Sequence, residues 1–284
     1  MYIKIIRQDQ KQFELGGSIR DDADWGVTKI SGIGEYRNVL DTVIPAVRDG
    51  VDITHERVEA RHIDITASVK RRREGATERR RALSFFNPKY DYTVYITKDD
   101  ETRWIPARIE QFQCPEQKAE NHVSLILSLI CPDPFFYSLD NYGKNIAAIT
   151  GCFGFPYISP ISKGFRVGVY NFAKQVEIEN LGDVSTYAKV IIKADGIVVN
   201  PKIMQNGEFI RLIDQLSAGD EVEIDMVNNT VKKNGNNCIA KIDRRSSFSG
   251  MEIRMGNNEI AFDADNGDTN MTVTVYYYHR YTGV

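Results

Sequence analysis

The chain contains 284 residues, of which 42% are hydrophobic and 26% are charged, and these ordinary globular values argue against a disordered chain. Its 36 Lys and Arg residues are offset by 39 Asp and Glu residues, so the formal net charge is −3. A whole-protein basic field for nucleic acid or an anionic membrane is therefore excluded. At roughly 100–200 residues per domain, the length predicts one large domain or two ordinary ones.

Neither a membrane span nor a secretion signal is expected. No apolar run approaches the roughly 20 residues that a span needs. Charged residues such as Arg7 and Asp9 arrive before an apolar core of a signal peptide could form. A chain made in a reducing cytoplasm is expected to keep its cysteines as thiols.

The cysteines and histidines predict no metal, cofactor or redox site. The four cysteines are far apart, so no Cys-x-x-Cys pair exists. The four histidines lack the i, i+4 spacing that places two imidazoles on one helix face. A cysteine–histidine nucleophile pair stays open as the less favoured alternative, because such partners meet in space rather than in sequence.

Alternation of apolar and polar residues dominates the first half of the chain. Residues 63–70, 92–97 and 123–129 alternate with a period of two, which is typical of strands that bury one face. Residues 104–110 predict a further strand, and Pro106, which has no N–H, indicates an edge or a strand start.

One segment departs from this pattern. Residues 74–86 are rich in Glu and Arg, which favour helix, and Pro88 disfavours helical geometry at Asn87. The sequence therefore predicts a single short helix, about 74–86, that covers an open end or face of a small β-barrel. The residues on one stripe of this helix are Ala76, Arg79, Leu83 and Phe86.

The two prolines in 131–137 mark a boundary, because proline cannot continue a central strand. Residues 138–174 follow as a connection rich in Gly, Pro, Asn and aromatic residues. Connections this long tend to be functional or disordered, and the aromatic residues favour docking onto a neighbour. Those aromatic residues are Phe153, Phe155, Tyr157, Phe165, Tyr170 and Phe172.

From residue 175 the alternating pattern returns in short runs separated by turn residues. About eight such runs, at roughly 8–12-residue spacing, are typical of an antiparallel sandwich. The sequence thus divides into a domain at 1–137, a connection at 138–174 and a second domain at 175–284.

The order of these features resembles that of the distal tail proteins (Dit) of siphophages, the phages with long non-contractile tails, and of their prophages. Residues 60–65 look like the strand before the family helix, residues 80–88 like the helix and its stop, and residues 131–137 like the end of the ring-forming domain. The turn motifs of the second domain lie at 179–183, 219–225 and 256–260. The resemblance covers nearly the whole chain, and the order and spacing of the motifs carry it.

This resemblance implies a mainly β protein with an N-terminal split β-barrel, one short helix and a C-terminal galectin-like β-sandwich. It implies a structural protein of the virion tail tip, made and assembled in the bacterial host cytoplasm. Members of the family form a homo-hexameric ring. One face of that ring meets the major tail tube protein, and the other meets the tail-associated hub protein of the baseplate.

The resemblance also assigns a role to each domain. The N-terminal domain makes the ring and surrounds the channel through which DNA leaves, so contact with DNA is transient. The C-terminal domain lies outside the ring, and in some relatives it carries or holds host-binding modules. A receptor-binding protein or a host glycan is therefore a further candidate partner, whereas no membrane partner is implied.

Two basic runs are candidate contact residues at a subunit interface or the channel. A solvated face, partly neutralised by Glu74 and Glu78, is the plainest interpretation. Contact with carboxylates of a neighbouring subunit comes next. Contact with DNA is least favoured, because each neutralised phosphate would strengthen binding and slow transit. The arginines concerned are Arg71, Arg72, Arg73, Arg79, Arg80 and Arg81.

The stretch Gly32–Gly34 is a near match to a phosphate-binding loop, but no third glycine follows at the required spacing. It predicts a turn between strands. We place Gly32 and Gly34 among the candidate subunit contacts, together with the N-terminal strands and the aromatic connection.

The alternative function is a carbohydrate-binding β-sandwich module for host-surface adhesion. Sugar sites usually stack a ring on an aromatic side chain, yet both Trp25 and Trp104 lie in the first half. The second half also lacks the galectin sugar-site pattern, and the tyrosines at 276–278 predict cross-strand packing, with Tyr277 facing away from its two neighbours.

Catalysis is not predicted. An enzyme such as a cell-wall hydrolase would need paired carboxylates, and the acidic residues at 21–24 and 263–265 are interpreted as solvated loops. No run matches a calcium-binding loop with its closing Glu.

Overall fold

The structure, a computed structural model, describes residues 1–17, 23–70, 75–115, 123–140, 144–145, 147–151, 168–172 and 175–284. The chain forms two compact units. Unit 1 comprises Met1–Leu139 and Arg280–Val284, and unit 2 comprises Asp140–His279. The sequence interpretation placed all of 175–284 in the second domain, whereas the last five residues belong to unit 1.

The elements are numbered in chain order. Unit 1 begins with β1 Tyr2–Arg7, β2 Gln12–Gly16, β3 Trp25–Ser31, β4 Asn38–Val43, β5 Asp52–Val58, β6 Arg61–Val69, the helix α1 Gly75–Phe85, β7 Tyr92–Lys98, β8 Glu101–Gln113, β9 Ser124–Cys131 and β10 Phe136–Ser138. Unit 2 contains β11 Lys144–Asn145, β12 Ala147–Gly151, β13 Gly168–Phe172, β14 Gln175–Asn180, β15 Thr186–Tyr187, β16 Lys189–Ala194, β17 Val198–Val199, β18 Lys202–Gln205, β19 Glu208–Arg211, β20 Gln215–Leu216, β21 Glu221–Asp225, β22 Thr230–Lys233, β23 Asn236–Asn237, β24 Glu252–Ile253, β25 Gly256–Asp263 and β26 Met271–Tyr276. Short 3-10 helices lie at Ile239–Lys241 and Asp268–Asn270, and β27 Arg280–Tyr281 returns to unit 1.

Unit 1 is built on a closed barrel. Its seven strands run in the order β8-β7-β1-β2-β3-β6-β9, and β9 pairs back onto β8. Alternate residues of each strand fill the interior, as β6 shows with buried Ile63, Ile65, Ala67 and Val69. Closure pairs the edges that an open sheet would expose to other chains. The barrel confirms the mainly β class expected for the first half.

The helix α1 closes over the aromatic core of this barrel. Its bounds agree with the predicted helix to within a residue at each end. The buried face differs from the predicted stripe: Glu78, Ala82 and Phe85 point inward, whereas Leu83 is 46% exposed. Glu78 is buried because the Trp25 indole N–H donates to its carboxylate at 3.0 Å. Sequence periodicity could not anticipate this buried polar pair.

The last residues of the chain extend the sheet of unit 1. β27 pairs with β10, and β10 pairs with β8 beyond the barrel. Trp104 stacks on Tyr137 with ring centroids 4.7 Å apart, and its indole N–H donates to the carbonyl of Ser138 at 2.9 Å. The terminal strand therefore completes unit 1 although 140 residues of unit 2 precede it in sequence.

Unit 2 is an antiparallel sandwich. One sheet has the order β11-β26-β16-β21-β22-β23 and the other has the order β14-β25-β18-β19. Side chains of both sheets, including Ile192 and Val273 of the first and Ile260 and Phe262 of the second, form one core. This confirms the predicted sandwich. Of the aromatic connection, only Tyr170 and Phe172 fall in a described element, β13, and the other aromatic residues named above lie outside the described residues.

Candidate assembly surfaces

The hairpin of β4 and β5 is the most exposed apolar segment of unit 1. The two strands form a sheet of their own, separate from the barrel sheet. Among the described residues, seven of the seventeen exposed large hydrophobic side chains lie between residues 36 and 53, six of them within the hairpin. They are Tyr36, Leu40, Val43, Ile44, Val47, Val51 and Ile53. A two-stranded ribbon is at best marginally stable in water, and clustered apolar exposure marks interaction surfaces.

The strand register decides which hairpin residues share a face. Leu40 lies opposite Glu56 and Thr42 lies opposite Ile53, with a shift in register just before Thr42. Directly opposed residues project to the same side of an antiparallel pair, and so do residues two apart in a strand. One face of the hairpin therefore presents Leu40, Ile53 and Glu56 together.

The three described arginines of α1 differ in how they are held. A nitrogen of Arg81 lies 3.1 Å from Asp24 and 3.4 Å from Glu78, and Arg79 donates to the carbonyl of Cys114 at 3.1 Å. Arg80 is exposed and, among the described residues, donates only to the carbonyl of Ala76 one turn earlier, at 3.4 Å. Within the described part of the chain it has no carboxylate partner. The predicted residues Arg71, Arg72 and Arg73 lie outside the described residues.

The Gly32–Gly34 turn directly follows β3. Gly32 has a φ of +84°, and a Cβ there would lie 1.9 Å from the carbonyl oxygen of His62. Gly34 has open space where a Cβ would stand. The N–H of Val284 donates to the carbonyl of Ile33 at 3.1 Å. The turn thus packs against the terminal segment of its own unit, and a subunit contact at Gly32 or Gly34 stays a prediction.

Arg61 organises this region, and sequence reasoning missed it. Its buried guanidinium donates to four carbonyls, those of Pro134 at 2.6 Å, Gly32 at 2.7 Å, Glu35 at 2.5 Å and Thr282 at 2.5 Å. Burial lowers the pKa of Arg61. The four acceptors are far apart in sequence, so no local sequence motif predicts this cluster of hydrogen bonds.

The terminal segment has further anchors in unit 1. Arg280 lies 2.9 Å from a carboxylate oxygen of Asp133, and Arg103 donates to the carbonyl of Gly283 at 2.5 Å. Charge-assisted hydrogen bonds of this kind are stronger than neutral ones. The chain end is therefore a structural part of unit 1.

Tyr277 and Asp265, from the tyrosine run and the acidic residues of unit 2, form hydrogen bonds within their own unit. Tyr277 is buried and its hydroxyl donates to the carbonyl of Glu179 at 3.1 Å, whereas Tyr276 and Tyr278 are half-buried. This confirms the predicted alternation of the tyrosines. Asp265 accepts a hydrogen bond from the Asn200 side chain at 2.7 Å and another from Arg211, and these bonds lower the pKa of Asp265.

The described thiols are held in their protonated form. Burial raises the pKa of Cys131 to about 12 and also raises the pKa of Cys114 and Cys238. Within the described ranges, no group of three or more His, Cys, Asp and Glu side chains is placed to hold a metal ion. In the same residues, the structure contains no helix with the length and apolar character of a membrane span.

Comparison with known proteins places these surfaces in context. Residues 181–281 match the family model described as siphovirus-type tail component, C-terminal domain. The structure of SPP1 Dit, described as a paradigm of the hub adsorption apparatus in phages that infect Gram-positive bacteria, aligns over 98% of both chains with a TM-score of 0.67 and 14% identity. The search of curated proteins found no match.

Two structures of the phage P2 baseplate in its activated conformation are also similar. The structure with Ca aligns over 100% of both chains with a TM-score of 0.55 and 8% identity. The structure with Sr aligns over 100% of this chain and 99% of that chain, with a TM-score of 0.55 and 9% identity. Residues 181–281 therefore match the model of the siphovirus-type tail component family, and the chain as a whole has the distal tail protein (Dit) fold.

Proposed function

We propose that this chain is a structural, non-catalytic protein of the phage tail tip, where six copies form a ring that joins the tail tube to the hub of the baseplate. The observation that carries the proposal is the likeness to SPP1 Dit over 98% of both chains. The family match of residues 181–281 supports the same role. The ring surrounds the channel through which DNA leaves.

The exposed surfaces of unit 1 fit assembly by a repeated contact. A ring needs a heterologous interface, in which one surface of each copy meets a different surface of the next. The closed barrel offers few open strand edges, whereas the hairpin β4–β5 presents apolar side chains outside it. Assembly would cover those side chains.

The arginine contacts favour a structural role over a grip on DNA. Arg79 and Arg81 are bound to acceptors of their own chain. A channel that releases DNA should hold few phosphates, because each neutralised phosphate strengthens binding.

Electron microscopy of the chain co-expressed with its tail tube and hub partners tests this function. We expect annular particles with sixfold symmetry and an open centre. The protein concentration should be varied, because assembly follows mass action. If the chain never enters an annular particle in the presence of both partners, the proposed function is wrong.

A further inference from the structure

We propose that the β4–β5 hairpin of one copy lies on helix α1 of the neighbouring copy, with Leu40 and Ile53 against Leu83, and Glu56 facing Arg80. This contact rests on the proposed ring and specifies which two surfaces of unit 1 meet within it. The occupant of the hairpin face is therefore a second copy of this chain.

The apolar side chains provide the first argument. Ile53 is 58% exposed on the hairpin, and Leu83 is 46% exposed on the outer face of α1. Both are aliphatic side chains that a monomer leaves in water, and removal of apolar surface from water is favourable. A contact between the two surfaces would remove both from water.

Charge complementarity provides the second argument. Residues 36–59 contain three arginines and five carboxylates, so the hairpin segment carries a net charge of −2 with His55 neutral. Residues 75–85 contain three arginines and one glutamate, so α1 carries +2. Opposite net charges favour the hairpin and the helix of two copies as partners, and disfavour two hairpins or two helices.

The arrangement of each surface provides the third argument. Arg80 and Leu83 are three residues apart on α1 and so share a face of the helix. Leu40, Ile53 and Glu56 share a face of the hairpin. Each surface thus sets an aliphatic side chain beside one charge, and the two charges have opposite signs.

The two charged groups are also available for a partner. Within the described residues, neither Glu56 nor Arg80 has an ion-pair partner, whereas Arg81 pairs with Asp24 and Glu59 pairs with Arg37. Because the hairpin and the helix face are different surfaces of one unit, the contact is heterologous. Repetition of such a contact closes a ring when the rotation per copy divides the circle.

Disulfide trapping in the full-length chain tests the contact. Two single variants, Ile53→Cys and Leu83→Cys, are mixed under mild oxidation, alone and with the tail tube and hub proteins. We expect a mixed disulfide dimer in at least about tenfold excess over either homodimer, because directed association places the two thiols together. The unsubstituted chain, run in parallel, corrects for its native cysteines.

Charge reversal then tests the ion pair. Adding Arg80→Glu to the Leu83→Cys partner should slow the mixed disulfide at least about tenfold, since like charges would face each other. Adding Glu56→Arg to the Ile53→Cys partner should restore the rate to within about threefold of the original. The matched control, Arg254→Glu in unit 2, makes the same charge change and should leave the rate unaltered.

The outcomes separate this contact from the proposed function. If annular particles form without a mixed disulfide, the hairpin contact is wrong and the ring is retained. The same holds if annular particles form and neither charge reversal changes the rate of mixed-disulfide formation. A mixed disulfide that obeys the charge reversals, in a chain that never forms annular particles, would support the contact and refute the ring.

Discussion

Strands β5 and β6 are neighbours in sequence and have opposite environments. In β5, Ile53 is 58% exposed, whereas in β6, Ile65 is fully buried. The difference lies in their partners: β6 pairs with β3 and β9 within the barrel, whereas β5, among the described strands, pairs only with β4. A strand buries a face only when a second layer covers it, so two isoleucines in adjacent strands need not play the same role.

Alanine substitution distinguishes the roles of these two isoleucines. Ile65→Ala should lower the free energy of unfolding of unit 1 by about 3 kcal/mol, because it leaves a cavity in the barrel. Ile53→Ala should change it by less than about 0.5 kcal/mol. Tryptophan fluorescence during chemical denaturation measures this, since both tryptophans lie in unit 1. Equal losses in the two variants would mean that the hairpin packs on its own barrel.

Two glycines of one turn extend the comparison to the backbone. Gly32→Ala should cost more than about 2 kcal/mol, because its Cβ would meet the carbonyl oxygen of His62 and its φ is left-handed. Gly34→Ala, which meets open space, should stay within about 0.5 kcal/mol of the unsubstituted chain. The same fluorescence measurement applies. A tolerated Gly32→Ala would show that the turn can rearrange away from β6.

Arg61 and Arg80 are a buried and an exposed arginine of the same unit. Arg61→Met should lower the stability of unit 1 by about 2 kcal/mol, because four carbonyls lose their common donor. Arg80→Met, at an exposed position, should change it by less than about 0.5 kcal/mol. Hydrogen exchange at the Val284 amide should rise only in Arg61→Met. Unchanged exchange there would show that Arg61 does not anchor the chain end.

The pH dependence of the melting temperature of unit 2 is expected to depend on His279 and not on His55. Burial lowers the pKa of His279 below 6.5, although the nearby Glu179 opposes this shift. As the pH falls below 6.5, the unfolded chain takes up the proton first, so the stability that His279 supports above this pH is lost progressively toward its folded pKa. The melting temperature of unit 2 should therefore fall between pH 7.5 and pH 5.5, to an extent of about a few degrees or less.

Substitution isolates the contribution of His279. His279→Gln should flatten this pH dependence, whereas His55→Gln, on the exposed hairpin, should leave it unchanged. Calorimetry measures the melting temperature of each unit. A parallel melt followed by tryptophan fluorescence identifies the transition of unit 1, since both tryptophans lie there, and the remaining calorimetric transition is that of unit 2. A slope that survives in His279→Gln would assign the pH dependence to other groups.

The sequence predicted the fold class and much of the local structure. The alternating runs at 63–70 and 92–97 correspond to β6 and β7, and the helix at 75–85 ends before Pro88 as proline requires. These predictions succeed because side-chain alternation, helix propensity and proline geometry act over a few neighbouring residues. The same local rules failed to identify the buried face of α1, where the Glu78 carboxylate is buried and accepts a hydrogen bond from the Trp25 indole N–H.

Long-range contacts account for what the sequence left open. The candidate arginines at 79, 80 and 81 are indistinguishable as a run, yet only Arg80 lacks a hydrogen bond beyond its own helix among the described residues. Likewise, Gly32 and Gly34 look alike until the carbonyl of His62 approaches one of them. The sequence therefore named candidate contact residues, whose role stays a prediction, and the structure distinguishes the environments of the described ones.

The amino-acid sequence alone determined that this is a mainly β chain with one short helix, since periodicity and propensity are properties of neighbouring residues. Three features are visible only in the three-dimensional structure: residues 280–284 return to unit 1, Arg61 donates to four carbonyls, and the β4–β5 hairpin lies outside the barrel. Those features depend on which distant segments meet, and burial energy is set by the partner surface rather than by the segment itself.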